Sequence, residues 1–501
     1  MKERKTFKIF LLAFIGALIA IPMSCSLSPR LTNLPNITSD STTDSSSYTM
    51  PLVYIDSPTN GQVIFSGFVE FRGRASIGFK EIWVIIEGVD TLVLHGTTNW
   101  VTNTALAMGS YIVKVFALDN FGNYSSTNSV NFIVGGKYVF VSTNGNDSNN
   151  GVLPSSPVRS LPKALEIANN MSQLTNVEIR LGVGLYSNGD GLNDTIGAVI
   201  SRPNLLISGG WDENFSNVIS KSELYGSSEN IQTVLLIQNT TNVTLRNIVV
   251  SYWNLHYPGI GIFISNASYI TIESNNSFTN NSETVVAEYL SHGKILSKIQ
   301  HNRESIKLKY SSSTKVIGEI SSNWAGITLE YSTNITVTSR IFDNYSGVFL
   351  KDSISNTING EVFKCGSRGI SLENSPYNVI NSHVYSNSSG GIKLIDSPSN
   401  IINGNVYGNY IPSLPDSPLD TGGGIHLYNS PYTLLRGNVY NNSAPWAGGV
   451  YLENSDYFTN LGWITNNESY LSPSGGGVFT NSLHENSYFG NVTNNYPTDF
   501  N

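Results

Sequence analysis

From residue 326 to the end of the chain, apolar and polar positions recur with a period of 21 to 22 residues, lengthened in three places. When each repeat is numbered from its first Gly (Gly326, Gly347, Gly369, Gly391, Gly424, Gly449), the columns agree. Offset one holds Ile327, Val348, Ile370, Ile392, Ile425 and Val450, and offset three holds Leu329, Leu350, Leu372, Leu394, Leu427 and Leu452. Residues two apart in a strand face the same side, so these columns point inward. Offset fifteen adds a further apolar column, from Ile341 through Val362, Val384, Val406 and Val439 to Ile464. Between the apolar stretches stand polar corners, with Ser at offset six in all six repeats (Ser332, Ser353, Ser375, Ser397, Ser430, Ser455).

No such unit can bury its own apolar face, so successive units must stack. The pattern predicts an all-β chain ending in a right-handed parallel β-helix. Weaker copies begin near Thr233, Gly261, Thr284 and Ser305, which brings the expectation to about eleven coils over 233–501. Leucine-rich repeats carry a denser Leu pattern than one Leu at offset three. Offset eighteen reads Asn344, Cys365, Asn387, Asn409, Asn442 and Asn467. Stacked amides bond along a ladder and Asn tolerates left-handed corners, so Cys365 is read as a structural substitution in an internal Asn ladder.

Residues 51–135 alternate differently, in short strands such as GQVIFSGFVEFRGRA, EIWVIIEG and SYIVKVFALDNFGN. With SPTNG near its start, this segment resembles bacterial immunoglobulin-like modules, which implies a β-sandwich; a fibronectin-like sandwich is the alternative. Residues 137–232 are expected to cap the β-helix and supply its first coils. Here YVFVSTNGNDSNNGVLPSSPVRSLPKALEIA resembles the head domain of many bacterial β-helix proteins. Ser160 is placed to cap a short helix whose Leu161, Leu165 and Ala168 would close the end of the stack. Asp147 is read as a turn residue, because its loop lacks the alternating oxygen ligands of a calcium site.

The first stretch stands outside this scheme. Lys2, Arg4, Lys5 and Lys8 precede the apolar run Ile9–Ile21, whose 13 residues suit a signal-peptide core and fall short of the ~20 needed to span a bilayer. Ile21-Pro22-Met23-Ser24-Cys25 resembles a bacterial lipoprotein signal, with Pro22 where that family has Leu. The resemblance implies a signal peptide over 1–24, lipidation of Cys25, and localisation at the outer membrane or cell surface with membrane contact only through the anchor. Residues 25–50, polar and without apolar periodicity, read as a tether. The chain holds only Cys25 and Cys365, so it has no disulfide framework of its own.

Charge narrows the partners. A net charge of −8 with only 13 % charged residues excludes a nucleic-acid surface, which needs clustered Lys and Arg. No motif calls for a cofactor or a metal.

The β-helix resembles the pectate-lyase-like superfamily, which includes polysaccharide lyases and hydrolases, so catalysis has to be sought in the residues. Outward offsets two and four carry Lys393, His426, Tyr428, Tyr451 and Glu453 on the later coils, without the clustered carboxylates of a calcium-dependent lyase or the paired carboxylates of a glycosidase. Glu330, Lys351 and Glu373 alternate in sign and read as a solvated ladder. Three consecutive coils, however, are lengthened at the same offset-eighteen corner, by 410–423, 443–448 and 468–476. These insertions must emerge side by side, and insertions on one face of a repeat array mark its binding side. Trp446, which lies outside every core column, is expected to be exposed and, with Tyr410, Tyr470 and Tyr451, to contact sugar rings. Asp416, Asp420 and Glu468 are the polar candidates. The reading is a binder of polysaccharide or another surface ligand. Its alternatives are a lyase or hydrolase using His426, Tyr428, Lys393 or Glu453, and a structural stalk or adhesin.

Overall fold

In the computed structural model the described residues are 52–500, apart from 77–78, 97, 174–175, 188–195, 227–231, 253–258, 413–420, 471–474 and 483–485. The signal segment, Cys25, the tether, Asp416 and Asp420 lie outside the described residues. Among the described residues, no helix is long and apolar enough to cross a membrane.

Eight strands between Val53 and Val134 form a three-stranded and a five-stranded sheet. Alternation places Val69, Phe71, Ile82, Val84, Val113, Val115 and Phe132 in one core, with Trp100 closing it. Gly73 is required here, because a Cβ would stand 2.4 Å from the Trp100 ring and closer still to the Tyr54 carbonyl.

From Tyr138 onward the chain winds into a parallel β-helix of about 12 turns, which include the eleven coils expected over 233–501. Each regular turn contributes to three parallel sheets, and like residues fall in register: Leu372 opposite Leu394 opposite Leu427, and Val384 opposite Val406 opposite Val439. The inward columns are fully buried.

The polar corners are held by side chains that replace the missing backbone ladder. At offset six, Ser353, Ser375, Ser397 and Ser430 each donate a backbone N–H to the hydroxyl of the next Ser, at 3.0–3.1 Å. At offset eighteen, Asn387, Asn409, Asn442 and Asn467 donate backbone N–H groups to the next amide Oδ1 at 2.9–3.0 Å. The same ladder begins at Asn281 and runs through Asn302 and Asn323 to Asn344. These buried amides therefore satisfy backbone groups that water cannot reach. The expectation of left-handed backbone at this column is corrected by one position, since Asp343, Lys364, Ser386, Asn441 and Asn466 carry the positive φ of 52–58°. The Asn itself turns inward to bond. A second amide ladder, Asn356–Asn378–Asn400 at 2.7–2.8 Å, was not singled out by the column analysis.

The helix Leu161–Asn169 covers the start of the stack with Leu161, Ala164, Leu165 and Ala168. Ser160 Oγ accepts from Lys163 N at 3.3 Å, and Asp147 Oδ1 accepts from the N–H groups of Arg159 and Ser160 at 2.8 and 2.9 Å, which gives Asp147 its turn role. Arg202, 1 % exposed, reaches the other end of this helix and donates to Ala168 O and Ser172 O.

Candidate functional site

The inserted segments do emerge side by side. Tyr410 bridges to Ser443, Ser443–Ala444 pairs with Glu468–Ser469, and Glu468 bridges to Tyr496, all parallel. Further out, Gly422 and Gly423 donate their N–H groups to Trp446 O and Ala447 O at 3.1 and 3.0 Å, tying the return of the first insertion to the second. Gly422 makes that return possible. Its φ is +71°, and a Cβ there would lie 2.4 Å from Ile425 O.

Beside these segments the outer face of strands Ile392–Ile395, Ile425–Tyr428 and Val450–Glu453 holds a pocket of about 540 Å³, within the size range of small-molecule sites. It is lined by Lys393, Ile395, Thr421, His426, Tyr428, Trp446, Tyr451, Glu453, Phe479 and Asn481. Register builds it: Lys393, His426, Tyr451 and Phe479 are the outward residues of one column on four successive coils, and Ile395, Tyr428 and Glu453 form the parallel column two residues along.

The expectation that the outward column faces solvent is corrected at two positions. His426 is 6 % exposed and Tyr451 7 %, with Thr421 against His426 and Phe479 stacked on Tyr451. Trp446 is half-buried and not the exposed ring that its loop suggested. It meets Phe479 edge-on, with ring centroids 6.3 Å apart. Phe479 in turn stacks on Tyr451 at 5.4 Å and 13°, and Tyr451 meets the His426 ring edge-to-face at 5.0 Å.

Polar groups are fixed around this aromatic series. His426 Nδ1 lies 3.2 Å from Thr421 Oγ1, while its Nε2 is buried without a hydrogen-bond partner. Burial, with the charges of Arg368 and Lys393, holds the imidazole well below its ordinary pKa, so it is neutral near pH 7. The Tyr451 hydroxyl lies 3.3 Å from Glu453 Oε2, and burial followed by that carboxylate pushes the phenol up to about 12. The pocket thus offers a neutral imidazole, a protonated phenol, an ammonium and a carboxylate.

Six of the candidates chosen from sequence, Lys393, His426, Tyr428, Trp446, Tyr451 and Glu453, come together here. Tyr410 and Tyr470 do not line the pocket. They stack on each other at 6.2 Å, Tyr470 donates its hydroxyl to Ile411 O, and burial pushes that phenol up to about 12. Glu468 is exposed in the same outer ladder. Sequence reasoning passed over Thr421, Phe479 and Asn481. Extending the outward columns to the coil that starts at Gly477 would have found the last two, whereas Thr421 belongs to no repeat column.

Over residues 240–418 the chain matches the family model described as periplasmic copper-binding protein (NosD), a stretch shorter than half its length. No curated protein matches it. Among solved structures it is similar to the A-module of a mannuronan C-5 epimerase from Azotobacter vinelandii, at 12 % identity over 66 % of this chain and 92 % of that one with a TM-score of 0.37. It is also similar to a Family 28 exopolygalacturonase from Yersinia enterocolitica, at 8 % identity over 88 % and 96 % with a TM-score of 0.27. Over 17 % of its length it is similar to fibronectin(III)-like modules of CbhA from Clostridium thermocellum, at 16 % identity, 98 % of that chain and a TM-score of 0.15. At these scores the similarities say nothing about chemistry.

Copper appears in the matched family's description, and imidazole and thiolate are donors it favours. Among the described residues, no three His, Cys, Asp or Glu side chains gather into a group able to hold a metal ion. Within the matched stretch, Cys365 is wholly buried with its thiol pushed up to about 12, His292 stacks on Tyr269 at 4.8 Å, His301 is exposed at a left-handed corner, and His383 Nδ1 accepts from Asn405 N at 3.1 Å. His256 lies outside the described residues. The described donors do not fit a copper centre.

Proposed function

We propose that this is an exported, lipid-anchored surface protein that binds a polysaccharide in the pocket behind the inserted loops. One observation carries the reading: Trp446, Tyr451 and Phe479 form a continuous aromatic wall in a pocket that also presents Lys393, His426, Glu453 and Asn481. Apolar ring faces beside a few fixed polar groups suit a sugar, whose C–H faces pack on aromatics while its hydroxyls seek donors and acceptors. The anchor rests on Cys25 within its lipoprotein-like signal. Cys25→Ala is expected to move the protein out of the membrane fraction or leave it uncleaved, and unchanged partitioning would count against an anchor.

A glycan array probed with the full chain tests the binding. Trp446→Ala is expected to weaken the best saccharide by ~1–3 kcal/mol, the range for an aromatic contact residue. A saccharide bound with full affinity by this variant would place the site elsewhere.

A second reading, a polysaccharide lyase, is favoured by the neutral His426 beside the protonated Tyr451. On a uronate, with the ring proton on Nδ1 and donated to Thr421 Oγ1, His426 Nε2 would take the C5 proton, the C4–O4 bond would break to leave a C4–C5 double bond, and Tyr451 would protonate the departing O4. Absorbance of the unsaturated product, lost in His426→Ala, distinguishes this reading from binding alone.

A further inference from the structure

Two basic side chains of the pocket share one corner. Lys393 and His426 are register partners on adjacent coils of the first outward column. Glu453 lies on the second column, two coils on from Lys393, and its carboxylate is engaged by the Tyr451 hydroxyl. At a strand spacing of ~4.8 Å, that places the strand of Lys393 roughly 10 Å along the axis from that of Glu453, with His426 on the coil between. A second cation supports the first corner from behind. Arg368 is 7 % exposed, donates to Thr421 O at 3.1 Å, and its charge reaches His426. The remaining feature is His426 Nε2, buried at this corner with no partner in the protein. An unsatisfied buried polar atom costs about 1–3 kcal/mol, so such a group on a pocket wall is a place for a ligand atom.

We infer that the pocket takes its saccharide by an acid group, a carboxylate or a sulfate, held between Lys393 Nζ and His426 Nε2. In this assignment the Thr421 hydroxyl donates to Nδ1, and the ring proton then sits on Nε2, facing the acid oxygen. Lys393 supplies the charge, and Arg368 acts as a positioning residue that fixes the Thr421 backbone. The far corner, with Glu453 and Asn481, is left for sugar hydroxyls. The inference rests on the saccharide-binding reading and adds the ligand's charge to it.

Calorimetric titration of the full chain with three probes tests this: a six-residue oligouronate, the same oligomer with its carboxyl groups reduced to alcohols, and a sulfated neutral hexasaccharide. The uronate or the sulfated probe is expected to bind at least roughly tenfold more tightly than the reduced oligomer, with the preference falling as salt rises. Whichever acid probe is preferred identifies the group. Lys393→Gln should erase the preference, and Lys393→Arg should keep most of it. If the reduced oligomer binds as tightly as both acid probes, or if Lys393→Gln leaves the preference intact, the assignment of the acid group falls. When the reduced oligomer does bind and Trp446→Ala weakens it, saccharide binding still stands. If none of the three probes binds, both readings fall.

Discussion

The backbone N–H of Cys365 donates to Asn387 Oδ1 at 2.9 Å, so a cysteine occupies a rung of the buried amide ladder and keeps only half of its bonding. Its thiol can accept only weakly from the preceding coil, where the other rungs offer an amide oxygen. Cys365→Asn is therefore expected to raise stability by about 1 kcal/mol, read as an upward shift in the urea midpoint. A lower midpoint would mean that the corner has no room for an amide. With its thiol pushed up to about 12, Cys365 should also resist a thiol reagent at pH 8 until the chain unfolds.

Leu394 is fully buried between Leu372 and Leu427. Leu394→Ala is expected to cost ~2–5 kcal/mol, whereas the exposed Lys351→Ala should stay within about 0.5 kcal/mol. Comparable losses in denaturant titrations would contradict the register.

Arg202 joins the capping helix to the first turns through Ala168 O and Ser172 O from a wholly buried position. Arg202→Met keeps much of the volume and leaves those carbonyls unmet, with an expected loss of about 2–3 kcal/mol. Hydrogen exchange should rise first over 161–172. Protection unchanged there would show that the guanidinium is dispensable.

The depressed pKa of His426 gives a pH dependence with a definite sign. Below ~6.5 the unfolded chain binds a proton that the folded imidazole refuses, so stability falls as pH drops through that value. The slope approaches about 1.4 kcal/mol per pH unit until the folded group itself titrates. His426→Gln should flatten the curve between pH 7 and 5, and an identical slope would locate the titration in another group.

Much of this architecture was written in the columns. Leu at offset three, Ser at offset six and Asn at offset eighteen determined a stacked coil, its inward faces and its polar corners, because each such residue meets its own kind one turn away. The shared corner of the three insertions likewise foretold that Tyr410, Ser443 and Glu468, where they leave the coils, would lie side by side. Only the tertiary structure decided what the insertions cover. Periodicity states which side of a strand a residue takes and nothing about what folds over that side. His426 and Tyr451 therefore became buried, Trp446 turned inward to Phe479, and Tyr410 and Tyr470 paired away from the pocket. Thr421 and Arg368, each outside every repeat column, reached His426 through contacts five and 53 residues apart in the chain, Thr421 directly and Arg368 by way of Thr421. Such contacts arise from how the insertion folds back, and they leave no period for the sequence to display.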